Sequence, residues 1–220
     1  MRFTHAGRTY LRAQAGRSSA SVLVVVAGAA TAFVFTSVSS GAADSTTPLC
    51  FGKQATIVLE QGHSEGFLEG TKGADVIVAK DFTVPSTING LGGDDLICVF
   101  GGTVLPGQHL YTIKGGPGND KIAGGPLNDK ILGGEDRDEI HGGGGVDVLH
   151  GDPGHDTLFG GDGNDDLNGG VGDDTLISGA GNDNNNGGLG KDYADGGPGT
   201  DFCRYNVEKM ISCGHKFNER

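Results

Sequence analysis

Between residues 115 and 204 the chain repeats a nine-residue frame ten times without an insertion or a deletion. Glycine recurs at the first, second and fourth places, aspartate fills the sixth place of every copy, and the eighth place is apolar in nine of the ten. A short fixed period predicts a solenoid, because each copy can bury its apolar side chain only by stacking on its neighbours. One apolar residue in nine cannot fill a wide globular core, so the predicted core is thin.

The frame divides into a turn and a short strand. Its first six residues are rich in glycine, which takes the left-handed conformations and close backbone approaches that tight turns require. Its last three residues alternate as in a strand, so the eighth-place side chain points inward while its neighbours point outward. Two copies then form one 18-residue coil with two strands and two turns. Stacked coils rise about 4.8 Å each.

The sixth-place carboxylates are the candidate metal ligands. Calcium binds about six to eight oxygens, taken from carboxylates and backbone carbonyls, and a glycine-rich turn leaves its carbonyls unobstructed. The repeat resembles the GGxGxDxUx nonapeptide of the RTX family, the hemolysin-type calcium-binding repeats, closely over 115–204 and more weakly over 70–114. The resemblance implies an all-β, right-handed parallel β-roll, a β-solenoid of 18-residue coils, with each Ca²⁺ between two turns on the same edge.

Repeats on the same edge are 18 residues apart, so the ten predicted ligands alternate between two edges. One edge carries Asp120, Asp138, Asp156, Asp174 and Asp192. The other edge carries Asp129, Asp147, Asp165, Asp183 and Asp201. Five turns on each edge leave four gaps, which predicts at most eight interior ions in 115–204.

Four repeats depart from the pattern. Leu127 and Asp136 replace the fourth-place glycine, which is expected to compromise the sites of those two turns because neither takes a positive φ as cheaply as glycine. Ser178 in the first place and Asp152 in the second are milder changes. Asn185 stands where an apolar side chain should point inward, and an unpaired buried amide costs about 1–3 kcal/mol. A loosened core or a self-satisfying asparagine ladder is expected there.

The repeats hold 18 acidic and five basic residues. Stacking them brings carboxylates close together, and like charges 4 Å apart repel by about 1 kcal/mol even in water. We therefore expect calcium binding to be the folding reaction of this segment.

Residues 1–43 read as a signal peptide. A basic lead precedes an apolar stretch, Ala20–Val38, and small residues follow around Ala42 and Ala43. A membrane anchor is the alternative. The prediction is a secreted, extracellular protein with no stable membrane insertion after cleavage.

The rest of the chain divides around the regular array. After a short polar lead, residues 44–114 read as degenerate rungs of the same roll, with recognisable copies at 70–78 and 89–97; a small separate β-domain is the alternative. Residues 205–220 lose the period and are expected to cap the roll.

All four cysteines lie beyond the predicted signal, which favours two disulfides in a secreted chain. Three pairings are open, and proximity favours Cys203–Cys213, which leaves Cys50–Cys98.

The net charge of −12 disfavours nucleic acid and anionic membrane surfaces as partners and favours cations. His141 and His150 fall on opposite sheets, so zinc is not expected, and no His-Glu-x-x-His or Gly-x-Ser-x-Gly motif occurs. The prediction is a non-enzymatic calcium-binding protein with a structural, surface or adhesive role. The alternative is a non-catalytic polysaccharide-binding or accessory module of a secreted hydrolase system. A cell-surface or polysaccharide partner is left open.

Overall fold

A computed structural model of the chain describes residues 2–5, 8–11, 49–59, 67–80, 86–101, 111–204 and 207–217. Every regular element in these ranges is a β-strand. Four strands form two short antiparallel hairpins, which are β1 (Arg2–His5) with β2 (Arg8–Leu11), and β3 (Leu49–Cys50) with β4 (Lys53–Gln54). The other strands form two nine-stranded parallel sheets, and consecutive strands alternate between them.

The first sheet contains β5 (Ile57–Leu59), β7 (Val76–Lys80), β9 (Leu96–Phe100), β11 (Lys121–Gly125), β13 (Glu139–Gly144), β15 (Thr157–Asp162), β17 (Thr175–Ala180), β19 (Asp192–Asp195) and β21 (Val207–Ile211). The second sheet contains β6 (Phe67–Glu69), β8 (Ser86–Asn89), β10 (Tyr111–Pro117), β12 (Asp129–Glu135), β14 (Val148–Pro153), β16 (Asp166–Val171), β18 (Asn184–Leu189), β20 (Asp201–Arg204) and β22 (Cys213–Phe217). This alternation makes a parallel β-solenoid, which confirms the predicted fold class.

The register of the sheets follows the sequence period. In the regular part each strand pairs with the strand 18 residues further on, as Ile140 does with Leu158. In the earlier coils the inward-pointing residues are further apart, since Ile77 pairs with Ile97 and Ile97 with Ile122. The strands between residues 57 and 101 therefore lie in the same two sheets as the regular repeats, with longer connections between them.

The strands are longer than the three residues expected from the frame. β15 runs from the seventh place of one repeat to the third place of the next, and Gly143 and Gly161 pair across the first sheet. The turn contracts to the fourth, fifth and sixth places. Because side chains alternate along a strand, the first-place glycine points inward together with the eighth-place residue. The strand can include these glycines because the stacked coils approach too closely for a side chain there.

The core is a single file of inward-pointing side chains in each sheet. Members of the regular part are fully buried, namely Ile113, Ile122, Ile131, Ile140, Leu149, Leu158, Leu167 and Leu176. Ala194 and Cys203 continue the file toward the C-terminus. Each side chain packs on those of the coils above and below, so the core lengthens with the stack but does not widen.

The N-terminal coils bury apolar side chains on both faces of the first sheet. Three consecutive residues are buried in β7 and again in β9. The hairpin β3–β4 lies on the outer face, where Cys50 forms a disulfide with Cys98 and packs against Val78. At the other end Cys203 forms a disulfide with Cys213. Both favoured pairings are therefore present, one toward each end of the roll.

The C-terminal strands β21 and β22 continue the two sheets by parallel pairing, each with a register shift where it joins. Within the predicted signal only the strands β1 and β2 are described, so its apolar stretch and cleavage region lie outside the described residues. No helix in the described part of the chain is long and apolar enough to cross a membrane.

Candidate metal centre

The ten sixth-place aspartates occupy equivalent buried positions at the turns. The first edge, where the chain passes from the second sheet to the first, carries Asp120 and its equivalents at 18-residue steps. The second edge carries Asp129 and its equivalents. None of the ten is more than 2% exposed, although each is ionisable. Buried carboxylates are tolerated only when partners compensate them, so their contacts decide what the turns can do.

In every predicted ligand except Asp129, one oxygen of the carboxylate joins neighbouring coils. The backbone N–H of Asp138 donates to Oδ1 of Asp156 at 2.8 Å, and the N–H of Asp156 donates to Oδ1 of Asp174 at the same distance. The same link recurs along both edges as far as Asp192 and Asp201, at up to 3.0 Å. These links form two hydrogen-bond ladders parallel to the axis of the roll.

The first-edge ladder begins before the regular repeats. The N–H of Asp75 donates to Oδ1 of Asp95, and the N–H of Asp95 donates to Oδ1 of Asp120, both at 2.8 Å. Neither Asp75 nor Asp95 is among the ten predicted ligands. The degenerate copy at 70–78 carries Asp75 at its sixth place, so the sequence alone indicates that Asp75 belongs to the ladder. The copy at 89–97 was framed one residue too early, because Gly90 takes the first place and Asp95 the sixth.

The second oxygen of the carboxylates has no hydrogen-bond partner. This holds for Oδ2 of Asp95 and of all ten predicted ligands, each of them buried. Asp75 is the exception, because the backbone N–H and the hydroxyl of Thr71 donate to its Oδ2 at 2.6 and 2.9 Å. With Oδ1 of Asp129, twelve buried carboxylate oxygens therefore lack a donor in the described part of the chain, and such groups call for an explanation.

A backbone carbonyl faces the Oδ2 atoms from Asp95 to Asp174 across the gap between two coils. A Cβ placed on Gly124 would lie 2.6 Å from Oδ2 of Asp129 and 2.8 Å from the carbonyl oxygen of Gly142 in the next coil. Gly151 has the same surroundings, made by Asp156 and the carbonyl of Gly169. We call this space beside each first-place glycine the cradle. Two acceptors converge on it without a donor, which is the arrangement a cation satisfies.

Burial raises the pKa of the carboxyls from Asp95 to Asp183, and the charges of neighbouring aspartates add to the effect. The pKa of Asp129 and Asp138 rises to about 8, and that of Asp120, Asp147 and Asp156 to about 7. Backbone hydrogen bonds to Oδ1 lower the pKa and offset part of this rise. The carboxylates are therefore costly to ionise unless positive charge enters the gaps.

The donor set fits a hard cation that accepts backbone ligands. In the described part of the chain no three His, Cys, Asp or Glu side chains cluster as a metal site. Each gap instead offers carboxylate oxygens with carbonyl oxygens from glycine-rich turns. Calcium takes this mixture of ligands, whereas zinc in proteins favours nitrogen and sulfur ligands.

The two fourth-place substitutions leave the cradles in place. Asp136 adopts a positive φ of 78°, most fourth-place glycines have a φ between 111° and 154°, and Leu127 is not among the residues with positive φ. The cradles beside Gly124 and Gly133 still hold a carboxylate oxygen and a carbonyl oxygen. The expectation that these two sites are compromised stays a prediction, since a Cβ at the fourth place also approaches the carboxylate, lying 2.4 Å from Oδ1 of Asp156 in the case of Gly154.

Asp129 begins the ladder on the second edge. Neither of its oxygens has a hydrogen-bond partner of normal geometry, although the backbone amide of Tyr111 lies near enough to lower its pKa. Its N–H donates to Oδ1 of Asp147 at 2.8 Å, as in every later rung. Asp129 is thus the carboxylate least compensated by the protein itself.

Asn185 is fully buried, and its partner is a serine and not another asparagine. Its Nδ2 donates to Oγ of Ser178 at 2.5 Å, and its Oδ1 has no partner. Its neighbours in the sheet are Leu167 and Cys203. The expected asparagine ladder is absent from the core at this position. On the outer face of the second sheet, the side chains of Asn186 and Asn168 do form such a contact, at 3.3 Å.

The two ninth-place histidines lie on different sheets. His141 in the first sheet stacks on Phe159, with ring centroids 4.5 Å apart, and its Nε2 lies 3.0 Å from Oε1 of Glu139. His150 in the second sheet has Asn168 beside it. These contacts place the two imidazoles in separate surroundings.

On the second edge a neutral ladder runs outside the carboxylates at the fifth place, whereas on the first edge Oδ1 of Asp173 accepts from the N–H of Lys191. The N–H of Asn182 donates to Oδ1 of Asn164 at 2.8 Å, and the N–H of Thr200 donates to Oδ1 of Asn182 at 2.9 Å. This outer ladder links coils without any charge. The carboxylate ladders and the fifth-place ladder together define a parallel β-roll whose turns leave room for cations between stacked carboxylates.

The comparison with known families agrees with this class. The family model for the RTX calcium-binding nonapeptide repeat, which covers four copies, matches residues 112–139, 123–158 and 150–184. No curated protein matches the chain. Over residues 112–184 the chain carries RTX-type repeats of the calcium-binding kind, and these repeats form part of the parallel β-roll.

Proposed function

We propose that this chain is a secreted, non-catalytic structural protein whose roll is completed by calcium ions in the gaps between its turns. The observation that carries the proposal is the pairing, in successive cradles, of an unpartnered carboxylate oxygen with a backbone carbonyl oxygen. A divalent cation neutralises these oxygens. Oδ1 is already held by the amide of the neighbouring coil, so Oδ2 is the carboxylate oxygen that is left to bind the ion.

The proposed sites extend one gap beyond the regular repeats. The cradle at Gly90 is formed by Oδ2 of Asp95 and the carbonyl of Gly115, as in later coils. The preceding level needs no cation, because Thr71 donates two hydrogen bonds to Asp75. We therefore assign the first site on the first edge to the gap between Asp95 and Asp120.

Calcium binding and folding are coupled in this proposal. The regular repeats contribute about one apolar side chain for each buried carboxylate, and burial of an uncompensated charge costs more than burial of one aliphatic side chain returns. The metal-free roll is then unstable near neutral pH, and binding drives its formation.

A structural role is favoured over catalysis by where the carboxylates point. They face the gaps between coils and not a cleft. A groove of about 500 Å³ on the first edge is lined by Arg137, His155 and Val171 among others, and Asp136 is its only carboxylate. Acid–base catalysis by a pair of carboxylates would need two of them within reach of one substrate. A surface or adhesive role outside the cell accords with the signal-like N-terminus and the acidic repeats.

The test is calorimetric titration of the chain from residue 44 with calcium, beside circular dichroism in chelator and in calcium. We expect several ions per chain and β-structure that appears with the metal. An unchanged β spectrum in chelator would contradict coupled folding, and a stoichiometry near zero would remove calcium from the proposal. Export is tested separately by sequencing the N-terminus of the protein recovered outside the producing cells, which should begin near Ala43 or Asp44.

A further inference from the structure

The repeat at 178–186 departs from the frame at two places, and the two departures contact each other. Ser178 replaces the first-place glycine and Asn185 replaces the apolar eighth-place residue. Both side chains are fully buried. Their contact, from Nδ2 of Asn185 to Oγ of Ser178, measures 2.5 Å. The serine thus supplies the only hydrogen bond that the buried amide makes.

The first place is where a side chain interferes with the cradle. At Gly160, one coil earlier on the same edge, a Cβ would lie 2.5 Å from Oδ2 of Asp165, closer than any Cβ approaches an oxygen. The equivalent oxygen crowds that position beside Gly142 and Gly124 as well. Ser178 has a real Cβ there. The space beside Asp183 that stays open in neighbouring repeats is therefore filled by the serine.

The substitution acts on one gap only. The carbonyl oxygen of Ser178 still faces the cradle of Gly160, so the preceding gap keeps its oxygens. The N–H of Asp165 still donates to Oδ1 of Asp183 at 2.8 Å, so the ladder also passes this level. What is lost is the open space between the turns that carry Asp183 and Asp201.

We propose that Ser178 blocks the gap between the turns of Asp183 and Asp201, so that this last gap of the second edge takes no calcium ion. The serine hydroxyl accepts from Nδ2 of Asn185, while Oδ2 of Asp183 has no hydrogen-bond partner in the described part of the chain. The other end of the roll differs, because the backbone N–H and hydroxyl of Thr71 donate to Oδ2 of Asp75. This inference rests on the proposed calcium binding and adds which residue limits its stoichiometry.

The experiment counts calcium ions per chain by calorimetry and by native mass spectrometry on the chain that begins at residue 44. Ser178→Gly is expected to bind one ion more than the unmodified protein. Gly160→Ser, the matched change one coil earlier, is expected to bind one ion fewer. Ser178→Ala keeps the Cβ without the hydroxyl and should bind the same number as the unmodified protein.

Each alternative has its own result. If the serine hydroxyl is itself a calcium ligand, Ser178→Ala loses an ion and the proposal is overturned. It is also overturned if Ser178→Gly leaves the count unchanged while circular dichroism shows a folded roll. Because Ser178→Gly removes the partner of Asn185, the double variant with Asn185→Leu is measured beside it and should show the same gain. If the unmodified protein binds no calcium, the proposed function itself fails; if it binds calcium and only the variant counts disagree, this inference alone fails.

Discussion

Replacing Asp156 with asparagine is expected to change the stability of the roll in opposite directions with and without calcium. Asparagine keeps the Oδ1 acceptor that receives the N–H of Asp138 at 2.8 Å. It removes the charge that faces the cradle of Gly151 and can donate to the carbonyl of Gly169 there. Burial is the main reason why the pKa of Asp156 rises from an ordinary 3.8 to about 7. One pKa unit corresponds to about 1.4 kcal/mol, so neutralisation stabilises the metal-free roll by at most ~4 kcal/mol at about pH 8.

In calcium the same variant lacks one anionic ligand and is expected to bind one ion fewer. Saturation with calcium should therefore raise its free energy of unfolding by less than it raises that of the unmodified protein. Denaturant unfolding followed by circular dichroism, in chelator and in calcium, measures both effects, and calorimetry counts the ions. Asp166→Asn is the control, since this exposed carboxylate lies on the outer face and receives Nδ2 of Asn184 at 2.8 Å. It should change stability little, and equally in both conditions. Equal destabilisation of the Asp156 variant in chelator and calcium would refute the reasoning.

Three further predictions concern pH, the polar core and the N-terminal disulfide. The ladder carboxyls from Asp95 to Asp174 have pKa values raised to between about 6 and about 8, so their protonation stabilises the metal-free fold at low pH and this contribution is lost as pH rises through that window. Circular dichroism in chelator should therefore show more β-structure near pH 5 than near pH 8, and the reverse order would contradict the burial of these groups. Asn185→Leu combined with Ser178→Gly should raise the unfolding free energy in calcium by about 1–3 kcal/mol, since it removes an unsatisfied buried amide; a loss would show that the pair is well satisfied. Replacing both Cys50 and Cys98 with serine removes the disulfide between residues 48 apart and should lower the free energy of unfolding by at most about 4 kcal/mol. An unchanged free energy of unfolding would mean that packing alone holds the hairpin.

The period of the sequence was enough to predict the two sheets, their register and the inward-pointing file. Those features depend only on a repeat that stacks on itself. The length of the strands could not be predicted in the same way, because glycine at the first two places looks like turn chemistry. In the fold these glycines lie in the parallel ladder, where Gly143 pairs with Gly161.

The candidate site was predictable where the frame is regular and not where it slips. Asp95 was missed because the copy around it is offset by one residue, and only its hydrogen bond to Asp120 reveals the true frame. The fourth-place substitutions looked harmful and the first-place serine looked mild. In the structure the first place borders the cradle directly, because a Cβ on Gly160 would lie 2.5 Å from Oδ2 of Asp165, so a side chain at the first place has a larger effect than the sequence indicates. Which side of a turn faces the next coil is a property of the stack, so no single repeat reveals it.

The two ends of the roll are stabilised by different means, and this gives the array a direction. The N-terminal coils bury apolar residues on both faces of the first sheet and carry a hairpin fastened through Cys50 and Cys98. Their first ladder carboxylate, Asp75, is satisfied by Thr71 and needs no cation. Beyond residue 115 each repeat, except the one with Asn185, adds one inward apolar side chain, and every repeat adds at least one uncompensated carboxylate oxygen. Since a new coil gains its core contacts only from the coil already in place, the metal-independent end is the natural template on which the calcium-dependent coils form.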